Sequence, residues 1–509
     1  MTFKKELSQF IIVSSFLLIS WNTLSEIIAF PGAEGFGREA IGGRGGDVYF
    51  VTNLNDAGPG SFRDAVSQSH RTVIFNVSGV INIKERISVS DHITIAGHTA
   101  PGDGVVIYGN GLSFSGADHT IVRYMRFRMG SSGSKGKDAI TIAEGSPMMF
   151  DHVSVSWGRD ETFSISGEDG TFTIQDSIIA QGLHSHSCGG LLQNWGGISI
   201  LRCLYIDNHT RNPKVKGINQ FVNNVIYNWR VAGYILGDSS GQSHANVIGN
   251  YYIAGPQTSN KSPFTRGNEN FHLFALNNYF DENKNGMLDG RILQRDDYGV
   301  VSWETEPFDY PRVQDVYSPQ TACKLIISQS GASLPGRDDV DRFLFGELAT
   351  FGSQGKIISS EMELPTEGPG DFRDGRSPAD SDQDGMPDYW EHSIAGLHVN
   401  KADNNGDINN DGYTNLEQYL NWLGTLHAKG QQNTPLEINL RQFTSGFNSD
   451  AEYTVQNVSH GTAVLSNDDT TVHFTPEKDH IGLASFEFTL EDGDVISRHV
   501  SLLITAENN

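Results

Sequence analysis

Six short stretches share one layout: "FDHVSVSW", "IQDSIIAQ", "LRCLYIDN", "VNNVIYNW", "IGNYYIAG" and "LNNYFDEN". Each sets a small polar residue ahead of a strand-like triplet. The polar positions are Asp151, Asp176, Cys203, Asn224, Asn250 and Asn278, recurring every 21 to 28 residues. That period belongs to solenoids, in which a repeat buries its apolar side only against its neighbours. Strands of three to five residues with no helical pattern between them do not fit alternating helix and strand. They specify an all-β chain built as a parallel β-helix. Asn at a repeated turn position stacks as a hydrogen-bonded ladder. An antiparallel sandwich is the competing reading; irregular loops and scarce hairpin dipeptides count against it. "SFRDAVSQ" near residue 61 reads as a short amphipathic helix, suited to closing the open end of a solenoid.

At 509 residues the chain exceeds one ordinary domain. Residues 1–25 read as an export signal. Lys4 and Lys5 precede "FIIVSSFLLIS", which is too short to span a bilayer, and Thr23 and Ser25 are small residues before a cut at Glu26. No later run is long and apolar enough for a membrane helix, so a secreted protein is expected. Residues 26–375 are assigned to the solenoid and its packing segments. Among these, "DDVDRFLFGELATF" has helical spacing and "PTEGPGDFRDGRSP" reads as a linker.

Residues 376–430 form a calcium-loop connector. In "DSDQDGMPDYWE", Asp380, Asp382, Asp384, Gly385 and Glu391 match D-x-D-x-D-G-x5-E, with Asp388 at the ninth place. Close carboxylates repel without a cation, and Gly allows the sharp turn. "DINNDGYTNLEQ" is a weaker copy through Asp407, Asn409, Asp411 and Gly412; its twelfth residue is Gln418, with Glu417 one place early. "DENKNGMLDG" from Asp281 lacks the closing Glu and reads as a turn. From 434 to 509, alternating apolar and polar residues specify a small antiparallel β-sandwich. It resembles the cadherin-like or immunoglobulin-like modules appended to secreted bacterial enzymes.

Acidic residues number 61 against 36 basic ones, a net charge of −25. That balance argues against nucleic acid or an anionic membrane as partner. An acidic polymer is admissible only where basic side chains or a bound cation invert the local charge. "RNPKVKG" concentrates Arg211, Lys214 and Lys216 in one short segment. The three cysteines, Cys188, Cys203 and Cys323, rule out a disulfide framework. No G-x-S-x-G, H-E-x-x-H, Walker loop or dinucleotide fingerprint occurs, and "GREAIGGRGG" reads as turn glycines.

The stretches left for chemistry are "GKDAITI", "DHVSVSWGRDE", "LHSHSCGG" and "RNPKVKG", on successive coils. Neighbouring coils of a β-helix lie about 4.8 Å apart. Asp138, Asp160 with Glu161, His184 with His186, and Arg211 can therefore line one flank. Converging carboxylates need a cation, and hard oxygens favour Ca2+. Arg211 and Lys216 favour an anionic ligand.

Taken with "AFPGAEGFG", "TNLNDAGPGSFRDAV", "TIAGHTAPGDGV", "IVRYMRFRMG" and "RNPKV", these stretches resemble the pectate lyase family, polysaccharide lyase family 1, over roughly half the chain. The resemblance implies a right-handed parallel β-helix that cleaves polygalacturonate by calcium-assisted β-elimination. It gives Arg211 the place of the family's proton-abstracting Arg, although arginine ordinarily stays protonated. Lys214 and Lys216 replace the second and third cations of that run. Asp138 matches an acidic calcium ligand and Asp160 the first Asp of a D-x-x-x-D pair. Ser164 replaces the second Asp, leaving Glu161 to supply the missing carboxylate. The family's substrate-binding Lys is absent, so His184 or His186 would serve. His152 and Trp157 read as structural packing, and a monomer is expected. Two alternatives remain: a polygalacturonase-type hydrolase, which needs two or three aspartates around one bond, and a calcium-dependent glycan-binding or adhesive solenoid without catalysis.

Overall fold

The computed structural model describes residues 27–260 and 262–506; the export-signal segment lies outside them. Strands such as Arg71–Phe75, Ile93–Ala96, Thr120–Arg123, Met148–Asp151 and Thr171–Gln175 stack in parallel register, coil upon coil. A second parallel sheet runs through Val105–Tyr108, Arg126–Arg128, Ser154–Ser156, Ile178–Ala180, Leu204–Ile206 and Val225–Tyr227 to Tyr279–Asp281. Shorter strands, including Leu112–Ser113, Ile140–Ala143 and Phe163–Ser166, make a third flank. The chain is a parallel β-solenoid. Strands Leu191–Leu201 and Lys214–Val222 run across two flanks, with a register shift between Asn194 and Ile198.

The inward rows of Val, Ile and Phe form one continuous core from Val51 to Tyr298. The polar ladder runs beside it. Cys203 N–H donates to Asn224 Oδ1 at 2.8 Å, Asn224 N–H to Asn250 Oδ1 at 2.8 Å, and Asn250 N–H to Asn278 Oδ1 at 3.0 Å. These side chains are buried, so every rung left unmade would strand a polar group in the core. Asp151 and Asp176, expected on the ladder, are off it. Ser177 takes the position instead, accepting from Val153 N–H at 3.0 Å. Asp176 occupies the preceding left-handed turn residue at φ 47, as do Arg202, Asn223 and Asn277 at φ 52, 55 and 52.

Helix Asp339–Leu348, capped by Asp338, matches the helical reading. Helix Pro319–Gln329 lacks a clean apolar stripe and went unread. Both cover the outer face of the second sheet, packing Ile326, Val340, Leu344 and Leu348 on Ile178, Leu204, Val225 and Tyr251. Arg128 joins helix Asp339–Leu348 to the sheet through Asp338 and Asp341 at 2.8 and 2.9 Å. That face is closed to ligands. Helix Phe62–Ala65 is a single turn whose Phe62 and Ala65 plug the first coil. The expected linker is strapped down: Arg373 reaches Asp103 at 2.7 Å.

The sandwich has a four-stranded and a three-stranded sheet. It begins earlier than residue 434, because strand His427–Gln431 pairs parallel to Asp494–Thr505; the module is therefore not wholly antiparallel. Leu325 of helix Pro319–Gln329 enters its core. All three cysteines are buried and free. Among the described residues no helix is long and apolar enough to cross a membrane.

Candidate active site

The third flank carries the site. Glu161, Cys188 and Thr210 bridge in parallel on three successive coils. Arg211 therefore lies two coils from Glu161, and its guanidinium reaches across to pair with Glu161 Oε1. Glu161 is 5% exposed. Carboxylate oxygens of Asp138, Asp160 and Glu161 all lie within 4.8 Å of one another. Asp138 is held by Thr141 Oγ1, which donates at 2.7 Å, and by Glu161 N–H at 3.1 Å. Burial first, then the charge of Asp160, pushes Asp138 above its ordinary value. His186 Nε2 stands 3.1 Å from Asp160 Oδ1 without the alignment of a hydrogen bond, and that buried oxygen has no other partner. Three all-oxygen donors, one of them unpartnered, suit a hard divalent cation such as Ca2+.

The remaining sequence candidates divide. Lys216 pairs in register with Gln193 on the neighbouring strand, is half-buried, and makes no ion pair among the described residues. Lys214 differs from the substrate-binding reading: its ammonium is spent on Asp238 at 3.0 Å, which also holds Arg266 at 3.1 Å. His184 packs edge-on against His209, ring centroids 5.7 Å apart, whereas His186 joins the carboxylates. Ser164, in the place of the family's second Asp, keeps a buried hydroxyl oxygen without a partner. Trp157 is fully buried and donates to Gln181 at 3.1 Å, while His152 bonds Asp151 at 2.8 Å. Trp195, 42% exposed and two residues beyond Gln193, offers an aromatic face that the sequence reading passed over.

The connector gathers a second carboxylate group. Oxygens of Asp380, Asp382 and Asp384 converge within 4.8 Å. Asp388, expected at the ninth place, accepts from Ser381 N–H and Oγ–H at 2.8 Å each instead of facing them. In the second loop, Asp407 accepts from Gly412 N–H at 3.0 Å and Asn409 from Gln418 at 2.8 Å. Asp411 accepts from Asn409 Nδ2 at 2.9 Å, and Glu417 pairs with Arg44 at 2.8 Å. Asp281 ends strand Tyr279–Asp281 ahead of the turn, its Oδ2 accepting from Asp289 N–H at 3.3 Å.

A cavity of about 760 Å³ lies where solenoid, helix Pro319–Gln329 and sandwich meet. Arg123 is taken by Asp151 at 2.9 Å and Arg202 by Asp176 at 3.0 Å, and the cavity follows the seam between domains.

Comparison with known proteins decides the family. The chain is 56% identical over 402 residues to "Probable pectate lyase C" of Aspergillus flavus, covering 78% of this chain and 94% of that protein. The chain belongs to the pectate lyase family. It is likewise 55% identical over 405 residues to the Aspergillus terreus protein of the same name, covering 79% of this chain and 95% of the other. A solved pectate lyase aligns at 14% identity and TM-score 0.45, covering 62% of this chain and all (100%) of its own. The cedar-pollen allergen Jun a 1 aligns at 18% identity and TM-score 0.44, covering 59% and 92%. A family model described as a cadherin-like domain matches residues 423–505, in accord with the early start of the sandwich. The chain is thus an enzyme of this family carrying a cadherin-like module.

Proposed function

We propose that this lyase cleaves polygalacturonate by calcium-assisted β-elimination at the flank of Asp138, Asp160, Glu161 and Arg211. The observation that carries the reading is the direct pairing of Arg211 with Glu161, itself one of three converging carboxylates. One flank so combines a cation site and a cationic side chain, which is what a polyanionic sugar requires of an acidic protein.

Asp138, Asp160 and Glu161 would hold Ca2+, which when bound neutralises the uronate carboxylate and eases loss of the proton at C5. In the elimination the C5–H bond breaks, its electron pair becomes the C4=C5 double bond, and the C4–O bond breaks with its pair on the leaving oxygen, which takes a proton from water. In this reading Arg211 is the group that meets the C5 proton. It pairs with Glu161 in the free chain, so its guanidinium must leave that carboxylate to face the sugar. Lys216, unpaired among the described residues, orients a neighbouring uronate carboxylate as a point charge. His186, exposed beside Asp160, offers a further polar contact to the sugar. The sugar ring rests on Trp195, since an exposed aromatic face supplies apolar area to a polar chain.

The test is purified chain on polygalacturonate with and without a chelator. Ultraviolet-absorbing unsaturated products that vanish on chelation support the reading. New reducing ends without that absorbance would mark a hydrolase, and binding without turnover an adhesin. The 1–25 segment is read as an export signal, tested by the N-terminal sequence of the mature chain.

A further inference from the structure

The connector holds a carboxylate that the lyase reading does not use. Glu391, on helix Asp388–Ser393, is 2% exposed, and neither of its oxygens has a hydrogen-bond partner. Both oxygens of Asp382 and Oδ1 of Asp403 are likewise buried and unpartnered. Asp380 turns the loop back on itself, accepting N–H groups from Gln383, Asp384 and Gly385 at 2.8, 3.3 and 3.0 Å. Asp403 comes from outside the motif. Its N–H donates to Asp384 Oδ2 at 3.0 Å, which brings the later segment onto the loop.

Among the described residues, no Lys or Arg pairs with Asp380, Asp382, Asp384 or Glu391. Lys401 is 3.8 Å from Asp403 with its side chain 70% exposed, and Arg44 is taken by Glu417. Buried carboxylates without a counter-charge are costly. Only carboxylate oxygens face inward, a donor set that suits Ca2+ with its six to eight oxygen ligands better than nitrogen- or sulfur-seeking metals.

We propose that Asp380, Asp382, Asp384, Glu391 and Asp403 form a calcium site, separate from the active site, that locks solenoid to sandwich. The lock follows from the packing around it. Met386 and Trp390 lie in one core with Ile74 and Ala96 of the solenoid and Leu503 of the sandwich. Asn405, close to Asp403 in the chain, donates to Gly46 O of the solenoid at 3.2 Å. Ordering the loop and seating Met386 and Trp390 are therefore one event, and metal binding adds to the stability of the junction. None of these residues belongs to the flank of Arg211, so this site stands or falls independently of the lyase reading.

The test uses the full chain with calcium chloride or chelator, following the melting temperature and the number of calcium ions bound. In chelator, Glu391→Gln melts no lower than the parent, because its carboxyl has no hydrogen-bond partner to lose. In saturating calcium it melts lower, because a ligand has gone. Glu391→Gln and Asp382→Asn each lose one bound calcium, and Asp138→Asn keeps that ion and its thermal response. A merely structural Glu391 would move both melting temperatures in one direction. Parent-like calcium response in both Glu391→Gln and Asp382→Asn would overturn the site. Should Glu391→Gln misfold by circular dichroism, Asp382→Asn, at the half-buried position, decides alone.

Discussion

The two carboxylate groups solve the same electrostatic problem differently. Asp138, Asp160 and Glu161 have one counter-charge, Arg211 on Glu161, with the His186 ring beside Asp160. Among the described residues the connector group has only the exposed Lys401, 3.8 Å from Asp403, and its Glu391 is pushed up to about 8 by burial first and by Asp382, Asp384, Asp380 and Asp403 in turn. In the proposed reading Arg211 shares the load at the active flank and then serves the substrate, whereas the connector group relies on an ion alone. The proposal so separates a site built for exchange from a site built for permanence.

The contrast breaks most sharply at Arg211. Arg211→Ala should lower turnover about 10²–10⁴-fold while polygalacturonate still binds, measured by steady-state kinetics and retardation on substrate gels. Undiminished turnover would remove Arg211 from the chemistry. Next in size, Glu161→Gln should raise the calcium needed for half-maximal activity about tenfold, about 1.4 kcal/mol of binding, and leave the connector ion untouched. Equal calcium titrations for parent and variant would take Glu161 out of the metal site.

A third carboxylate pair sharpens the comparison, because here a proton is the remedy. Asp207 is fully buried and accepts from Asn228 at 2.6 Å; its Oδ2 and Glu347 Oε2 have no other partner. Burial, then the charge of Glu347, holds Asp207 well above its ordinary 3.8. A carboxyl whose folded pKa is raised gives stability that is complete below its unfolded value and lost as pH rises through the folded one. The parent should thus lose stability toward alkaline pH, and Asp207→Asn should flatten that slope in melts across pH. An unchanged slope would refute the shared proton. The smallest effect belongs to Asp388→Ala. It should cost about 0.5–1.5 kcal/mol for the lost acceptor of Ser381 and leave calcium binding intact; loss of the connector ion would restore Asp388 to the ligand set.

Much of this was legible in one dimension. The repeat spacing of Asn224, Asn250 and Asn278 determined a solenoid, because a ladder residue must recur once per coil. The loop pattern from Asp380 pointed to converging carboxylates, because Gly385 and the alternating aspartates fold the loop onto one centre. The positions of Asp138, Asp160, Glu161 and Arg211 on successive coils pointed to one flank. Other features had no local signal. Whether Asp176 or Ser177 stood on the ladder depended on register, which neighbouring strands set. Lys214 looked as available as Lys216 until Asp238 on the next coil claimed it. Asp403 entered the connector group, and Asp388 left it, through contacts that no spacing rule encodes. Periodicity and composition belong to the sequence because they repeat along it. Which charge meets which was decided only by the tertiary structure, since pairing energy depends on distance in space and on burial.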